Sequence, residues 1–314
     1  MADLELTLAM SPWDRIQPLI SGEVKPEGIT LKYLNVPLNQ IWSKQLVGEE
    51  FDMSEMSFSF TLKGLHAGWG YTLLPAFHNR TFSYVNTVIR TGSGIRQDHP
   101  EDLKGKRVGV VDYQMTAALW TRGILATQYG VDLSKITFVI NSDEHVAAYQ
   151  APANVESVSF DRSLGDLLEA GEIDAAIGVP PSPDKGIEAL IPDAEAAATK
   201  SFLDTHVFPI NHTLVVRNEH LAANPWLAGE LFSLFRSGKR QFLSELPKME
   251  SPSGNDAIAK RLQGAIGGDP LPFGVEANRA TLEAFVQYNV DQQVIPKKVA
   301  LEEVFEPSTL ALVD

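Results

Sequence analysis

Residues 108–125 read VGVVDYQMTAALWTRGIL, so an apolar strand leads directly into polar side chains and then into a helix. The first N–H groups of a helix have no intrahelical partners, and the helix dipole favours an anion or a polar ligand edge beside them. Tyr113, Gln114, Met115 and Thr116 at this junction are therefore candidate ligand-binding residues. The alternative interpretation is a capped turn between a strand and a helix that binds no ligand.

The composition limits the classes of function. The net charge of −14 and the absence of a basic cluster argue against nucleic acid or an anionic membrane as a partner. There is no cysteine, which excludes a thiol nucleophile, a disulfide framework and a cysteine-based metal site. No apolar stretch is long enough to span a bilayer, and the acidic N-terminal segment is unlike a secretory signal. A cytoplasmic location is expected, provided that no leader was removed.

Two pairs of similar segments within the sequence indicate how the chain is organised. Residues 4–22 and 106–125 both run from a strand through a polar turn into a helix. Residues 45–57 (QLVGEEFDMSEMS) and 167–179 (LLEAGEIDAAIGV) both read helix end, Gly, Glu, apolar residue, Asp and a short strand. This alternation builds mostly parallel sheets covered by helices. With 314 residues, the chain is expected to form two related α/β lobes.

Extended segments predict where the chain passes between the lobes. Two crossovers are expected near 85–95 and 203–213, because both stretches are β-branched and flanked by turn residues. The predicted lobe 1 therefore contains 1–94 and 201–314, and the predicted lobe 2 is the insertion 95–200.

Several motifs resemble those of one family. DLKGKRVGVVDYQMTAALWTRGIL, the pair GEEFDMSEMS and GEIDAAIG, and FPINHTLVVR resemble the type II periplasmic-binding-protein fold. YQMTAALW and PFGVEANR are more specific, and with them the chain resembles the cytosolic branch of 4,5-dihydroxyphthalate decarboxylase-like proteins. The resemblance implies a two-lobed α/β fold with mostly parallel sheets, flanking helices and an interlobe cleft. It also implies a cofactor-independent decarboxylase of a hydroxylated aromatic carboxylate.

Two segments depart from the family pattern. Where these decarboxylases typically carry Arg-x-Phe-Arg-His, this chain reads RTFSY at 80–84. A segment expected to contain Gly-Gly is replaced by NSDEHVAAYQAPANV. Both changes fall where loops of a cleft are expected, so the expected substrate is either 4,5-dihydroxyphthalate or a different but related phenolic acid.

Ligands of open α/β sheets bind beyond the carboxyl ends of the strands. Besides the junction described first, that rule selects polar residues at four other strand ends: Ser11, Asp14 and Arg15; Ser54, Glu55 and Ser57; Arg162; and Asn211 and His212.

Decarboxylation of a phenolic acid needs a proton donor for the ring carbon, a base for the phenol and a dry pocket. His212 could serve as the acid or the base, or it could be a hydrogen-bonded hinge histidine. Glu55 is expected to be either the second proton-transfer group or a helix-capping acid. Arg15, Arg80 and Arg162 could each clamp a carboxylate bidentately, and one or two of the three are expected to do so.

The remaining histidines and the acidic segments are expected to be structural. His66 and His78 are interpreted as packed loop histidines, and SDEH at 142–145 as a solvated turn. Arg122, well inside the predicted helix, is also interpreted as structural. The sequence contains no HExxH, GxGxxG or Walker A motif, so neither a metal nor a cofactor is predicted.

Three classes of function remain open at this point. The first is the decarboxylase, and the second is a non-catalytic cytosolic binder of an aromatic or carboxylated small molecule. The third, a relative of thiamin-pyrimidine synthases, lacks the expected Cys and His-rich cluster. The expected partner is a small aromatic carboxylate, and a homo-oligomer is compatible with the sequence.

Overall fold

The computed structural model describes residues 3–82, 86–142, 150–159, 161–252 and 254–314. The chain divides into two compact units, each built from separate segments. Unit 1 contains Met1–Arg80, Ile210–Glu283 and Lys298–Asp314, and unit 2 contains Thr81–Pro209 and Ala284–Lys297.

The strands are β1 (Leu4–Ala9), β2 (Ile29–Leu34), β3 (Met53–Ser57), β4 (Tyr71–Arg80), β5 (Thr87–Arg90), β6 (Arg107–Val110), β7 (Thr137–Ile140), β8 (Val155–Ser157), β9 (Ala175–Ile177), β10 (Ile187–Ala189) and β11 (Ile210–Arg217). The α-helices are α1 (Gln17–Ile20), α2 (Leu38–Ser43), α3 (Phe58–His66), α4 (Thr116–Tyr129), α5 (Leu164–Glu169), α6 (Ala194–Thr205), α7 (Asn218–Ala223), α8 (Leu227–Glu245), α9 (Gly254–Ile266), α10 (Arg279–Asp291) and α11 (Leu301–Val304). Lys44–Gly48 continues α2 as a π-helical turn. Within the described ranges, no helix is both long and apolar enough to cross a membrane.

The sheet of unit 1 has the order β2-β1-β3-β11-β4. β1 runs parallel to β2 and β3, whereas β11 is antiparallel to β3 and β4. Every residue of β3 is buried, as expected for a strand with neighbours on both sides and helices packed on the sheet. Since β1 and β3 are parallel, the loop that follows β1 lies at the same edge of the sheet as the end of β3.

The pairing of β4 with β11 is irregular at one place. Leu214 pairs with Leu74 but His212 pairs with Asn79, so the segment 75–78 lies opposite Thr213 alone. Pro75 explains the irregularity, since proline has no N–H to donate to a neighbouring strand. The carbonyl of Pro75 accepts a hydrogen bond from the backbone N–H of Gly274, at 2.9 Å. Such bulges bend a strand and re-aim its side chains.

The sheet of unit 2 has the order β10-β5-β9-β6-β7-β8. β6 is parallel to β7 and β9, and β5 is antiparallel to β9 and β10. The core includes Val88 on β5, Val139 on β7 and Leu168 on α5, all of them buried. Gly123 lets α4 approach α10 closely, because a Cβ at this position would lie 2.2 Å from the ring of Tyr288.

The boundaries of the units differ from those expected. Residues 81–94 and 201–209, expected in lobe 1, belong to unit 2, and so does 284–297. The pairing of β5 with β9 and β10 explains the first difference, since those hydrogen bonds place β5 in the second sheet. The packing of Trp120 on Phe285, with ring centroids 4.8 Å apart, explains why the end of α10 joins unit 2.

Candidate active site in unit 1

Glu55 is a fully buried acid in the middle of β3, opposite Leu214 of β11. The sequence interpretation placed it at a strand tip, as a proton-transfer group or a helix cap. The structure instead places it inside the strand, and α3 begins after Ser57 without a side-chain cap. A carboxylate at such a position is stable only if its oxygens receive hydrogen bonds.

Three donors supply those hydrogen bonds to Glu55. The backbone N–H of Ser11 donates to Oε2 at 2.9 Å, and the indole N–H of Trp13 lies 3.0 Å from both oxygens. Nδ1 of His212 lies 2.5 Å from Oε1. The loop after β1 thus holds one side of the carboxylate, and β11 holds the other.

The charges around Glu55 favour its ionised form. Burial alone would raise the pKa of Glu55, but the charge and hydrogen bond of His212, and then the nearby imidazole of His78, hold it well below its ordinary value. Burial and then the negative charge of Glu55 raise the pKa of Tyr33. Burial lowers the pKa of Arg15, against the opposing effects of Asp256, Asp14 and Glu55. Glu55 is therefore a carboxylate and an acceptor at neutral pH.

His212 lies on β11 at the bulge described above, and its side chain is 11% exposed. Nδ1 contacts Glu55, and it also lies 2.8 Å from the amide nitrogen of Asn79. One ring nitrogen cannot donate and accept at once, so Nδ1–H donates to the carboxylate and leaves Nε2 for another partner. Within the described part of the chain, Nε2 makes no hydrogen bond, and Trp42 packs edge-on against the ring at 5.5 Å.

His78 was missed by the sequence analysis, which interpreted it as a packed loop histidine. It lies on β4 within the bulge, is 1% exposed, and places Nε2 3.7 Å from Oε1 of Glu55. The proline in LPAFHNR is the signal that could have revealed it, because a bulge interrupts the alternation of inward and outward side chains. His66 ends α3 and does not lie in a loop, and its Nδ1 contacts the carbonyl of Leu62.

The three candidate arginines have different surroundings. Arg15 is 5% exposed and contacts Asp256 at 3.3 Å, while Nε and Nη1 are buried without a partner among the described residues. Arg80 donates 2.5 Å hydrogen bonds to the carbonyl of Pro272 and to Asn278, so it holds the polypeptide of unit 1 together.

Arg162 is in unit 2, where it pairs with Glu172 at 2.5 Å in an exposed position. Arg15 is buried with two guanidinium nitrogens that lack hydrogen bonds within the described ranges, whereas Arg80 is held by Pro272 and Asn278 and Arg162 is exposed. It also lines a cavity of about 270 Å³ together with Pro12, Trp13, Asp14, Asn255 and Asp256.

The other candidate residues of unit 1 differ in exposure and in hydrogen bonding. Asp14 is exposed beside Arg15, and Ser57 contacts Ser59 at 3.3 Å. Ser54 and Asn211 are buried, and their side-chain oxygens make no hydrogen bond to the described residues.

The strand–helix junction that includes Tyr113, Gln114, Met115 and Thr116 lies in unit 2. The carboxylate of Asp112 accepts the backbone N–H of Gln114 at 2.6 Å, whereas Met115, the N-cap residue of α4, makes no side-chain capping hydrogen bond. Tyr113 is buried beneath Arg122, whose guanidinium lies 3.9 Å from the ring centroid.

Arg122 also donates to the carbonyl of Tyr113 and to Gln292, both in unit 2. These contacts agree with the structural role expected for it. A ligand-binding role of the junction stays a prediction.

Among the described residues, no three His, Asp or Glu side chains form a group that could hold a metal ion. Residues 143–145 of SDEH lie outside those residues, as do Ser83 and Tyr84 of the segment that departs from the family pattern. Independence of metals and cofactors stays a prediction.

Solved structures show the fold. The aliphatic sulphonate binding protein SsuA from Escherichia coli aligns with a TM-score of 0.53 and 14% identity, covering 98% of this chain and 99% of that chain. The desulfurization enzyme DszB aligns with a TM-score of 0.54 and 17% identity, covering 98% and 97%. The predicted periplasmic-binding-protein-like α/β fold is therefore confirmed.

Sequence relatives show the family, although no family model matches the chain. A 4,5-dihydroxyphthalate decarboxylase from Comamonas testosteroni is 30% identical over 336 aligned positions, which cover 99% of this chain and 98% of the relative. A protein of the same name from Pseudomonas putida is 32% identical over 186 positions, covering 57% of this chain and 71% of the relative. The resemblance noted in the sequence is confirmed, and the chain belongs to the 4,5-dihydroxyphthalate decarboxylase family.

Proposed function

We propose that this chain is a carboxy-lyase that removes one carboxylate from a hydroxylated aromatic acid, 4,5-dihydroxyphthalate or a related phenolic acid. The observation that carries the proposal is the pairing of buried Glu55 with Nδ1 of His212, which leaves Nε2 of the ring available. The names of the two relatives, one aligned over nearly the whole chain, support the substrate class.

His212 is the general acid of this mechanism. In its protonated form, Nε2–H delivers a proton to the ring carbon that bears the carboxylate, while Nδ1–H stays bound to Glu55. The new C–H bond uses a pair of ring π electrons, and a phenolic oxygen stabilises the resulting cation by donating electron density. The C–C bond to the carboxylate then breaks, its electron pair restores the aromatic ring, and carbon dioxide leaves. All electrons stay within the substrate, so the step needs no electron acceptor.

Glu55 acts through His212 and does not contact the substrate. It is 0% exposed, and its oxygens accept from Ser11, Trp13 and His212, so no oxygen faces a ligand. Its charge stabilises the protonated imidazole and fixes which ring nitrogen carries the proton in the neutral form. This role replaces the sequence-based expectation of a second proton-transfer group.

Arg15 is the proposed clamp for a carboxylate of the substrate. Its two nitrogens without hydrogen bonds can be satisfied by the oxygens of a planar carboxylate, which suits a guanidinium. The cavity beside it, at about 270 Å³, is below the usual 300–1,000 Å³ of small-molecule sites, so it would hold only part of a ligand. The second carboxylate of a substrate such as a phthalate is the group that Arg15 would bind.

The test is direct incubation with a panel of aromatic acids. The purified protein is mixed with 4,5-dihydroxyphthalate, phthalate and monohydroxybenzoates, while carbon dioxide and aromatic products are measured. We expect carbon dioxide only from acids with a hydroxyl ortho or para to the carboxylate, 3,4-dihydroxybenzoate from 4,5-dihydroxyphthalate, and no turnover of phthalate, which lacks the phenolic oxygen. In His212→Ala, the rate is expected to fall by roughly 10² to 10⁴.

Calorimetry with the same compounds separates the two classes of function left open by the sequence. Binding of a phenolic acid without release of carbon dioxide would identify a non-catalytic binding protein and overturn the proposal. A fully active His212→Ala protein would remove His212 from the mechanism.

The cytoplasmic location expected from the sequence stays a prediction, and so does a homo-oligomeric state.

A further inference from the structure

His78 is a buried titratable side chain that the proposed mechanism leaves without a role. It is 1% exposed, and neither ring nitrogen has a hydrogen-bond partner in the described ranges. The ring of Phe235 on α8 packs beside it, with centroids 6.4 Å apart. Burying polar atoms without hydrogen bonds opposes folding, so packing alone does not explain a histidine at a position that an apolar ring could fill.

The position of His78 relative to Glu55 suggests an explanation. Nε2 of His78 lies 3.7 Å from Oε1, and this same oxygen accepts from Nδ1 of His212 at 2.5 Å. The distance from His78 is too long for a hydrogen bond but short enough for a strong electrostatic interaction in a buried site. The two histidines therefore face one carboxylate oxygen from β4 and β11.

We propose that His78 is a positioning residue for His212. Its electrostatic interaction with Oε1 of Glu55 weakens the attraction between that oxygen and His212, the imidazole that contacts the substrate. The inference rests on the proposed function, in which His212 is the proton donor. His78 itself does not reach the substrate, since it is buried behind Glu55.

The direction of the effect does not depend on the charge of His78. A protonated His78 opposes a second positive charge on His212, and a neutral His78 with its Nε2–H directed at Oε1 places the positive end of that bond dipole near the same oxygen. Either state weakens the electrostatic attraction between Oε1 and His212. The other titratable groups that act on Glu55 are Arg15 and Tyr33, and a substitution of His78 leaves both in place.

The experiment compares His78→Phe, His78→Gln and the control His66→Phe. The phenyl ring removes both nitrogens and keeps most of the shape, whereas glutamine restores an N–H donor. His66 is a histidine of the same unit whose contact with Leu62 is remote from the proposed chemistry, so His66→Phe reports the general effect of replacing an imidazole. The measurements are the pH–rate profile, the melting temperature and the pH dependence of the histidine ring signals in NMR spectra without substrate.

In His78→Phe, we expect the high-pH limb of the profile to move upward by roughly half to one pH unit, with the His212 ring signals moving in parallel. The shift should be smaller in His78→Gln and absent in His66→Phe. A folded His78→Phe protein with an unchanged limb and unchanged ring signals overturns the proposal, even if its melting temperature falls.

The wild-type protein provides an independent measurement if the phenylalanine variant does not fold. The proposal then requires the ring signals of His78 to change over the same pH interval as those of His212, and independent changes overturn it. The NMR readout needs no turnover. If the protein releases no carbon dioxide, the proposed function is contradicted. The NMR measurement still decides whether His78 and His212 are coupled.

Discussion

Replacing Glu55 by Gln removes the charge that acts on His212 and changes the side-chain volume very little. Both carboxylate oxygens accept from N–H donors, namely those of Ser11, Trp13 and His212. Glutamine has one oxygen, so its NH₂ group must face at least one former donor. If the oxygen stays with Ser11 and Trp13, Nδ1 of His212 has to become an acceptor. The neutral ring then carries its proton on Nε2.

Two magnitudes follow from this geometry. The carboxylate of Glu55 stabilises the protonated imidazole of His212 across a contact of 2.5 Å, and glutamine carries no charge to do so. The high-pH limb of the profile should therefore move to lower pH in Glu55→Gln. At a fixed pH above the limb, turnover should fall about 10- to 1,000-fold. Because the NH₂ group of the introduced glutamine would face an N–H donor, the substitution should also reduce the free energy of unfolding by about 1–3 kcal/mol.

The assay is kcat and KM from pH 5 to 9, together with thermal unfolding of each variant. Asp52→Asn is the matched control, because Asp52 forms a carboxylate–histidine contact with Nε2 of His220 at 2.8 Å elsewhere in unit 1. It should change the melting temperature and leave the position of the limb unchanged. A folded Glu55→Gln protein with the wild-type profile would refute the assignment of Glu55 as the partner of a proton-donating His212.

Four other outcomes are expected. Arg15→Ala should raise KM roughly 10-fold or more with a smaller change in kcat, whereas Arg162→Ala, which removes an exposed ion pair, should leave both unchanged in steady-state assays. Because folding lowers the pKa of Glu55, its stabilising effect is present above the ordinary value of 4.5 and is lost as the pH falls further. Melting temperatures below pH 4.5 should therefore depend more steeply on pH in wild type than in Glu55→Gln. Gly123→Ala should reduce the stability by about 1–3 kcal/mol in denaturant unfolding, because its Cβ would lie 2.2 Å from the Tyr288 ring. Activity should survive EDTA, and loss of turnover that one divalent ion restores would reveal a metal site.

The fold class was predictable because it depends on local patterns. The strand–helix alternation and the glycine-ended helices recur in both halves of the chain, and the family motifs extend along nearly all of it. The boundaries between the units were not predictable to the same accuracy. β5 joins the second sheet through hydrogen bonds with β9 and β10, which follow it in sequence by many residues. No local signal specifies a pairing at that separation.

Part of the candidate site was also predictable. Glu55, His212 and Arg15 were selected as polar residues near strand ends, and the structure brings Glu55 and His212 into contact. Arg80 was selected as a possible carboxylate clamp, yet it binds the carbonyl of Pro272, which lies far from it along the chain. The type of a side chain indicates what it can bind, whereas its partner depends on distant segments.

The amino-acid sequence by itself determined the α/β class, the family and the kinds of side chain available for proton transfer. The tertiary structure alone decided that Glu55 supports His212 from inside the protein, and that His78 faces the same oxygen. The physical reason is the bulge in β4, where Pro75 lacks an N–H and the alternation of side chains is interrupted. Burial then determines the roles, because a fully buried carboxylate can orient an imidazole but cannot reach a substrate.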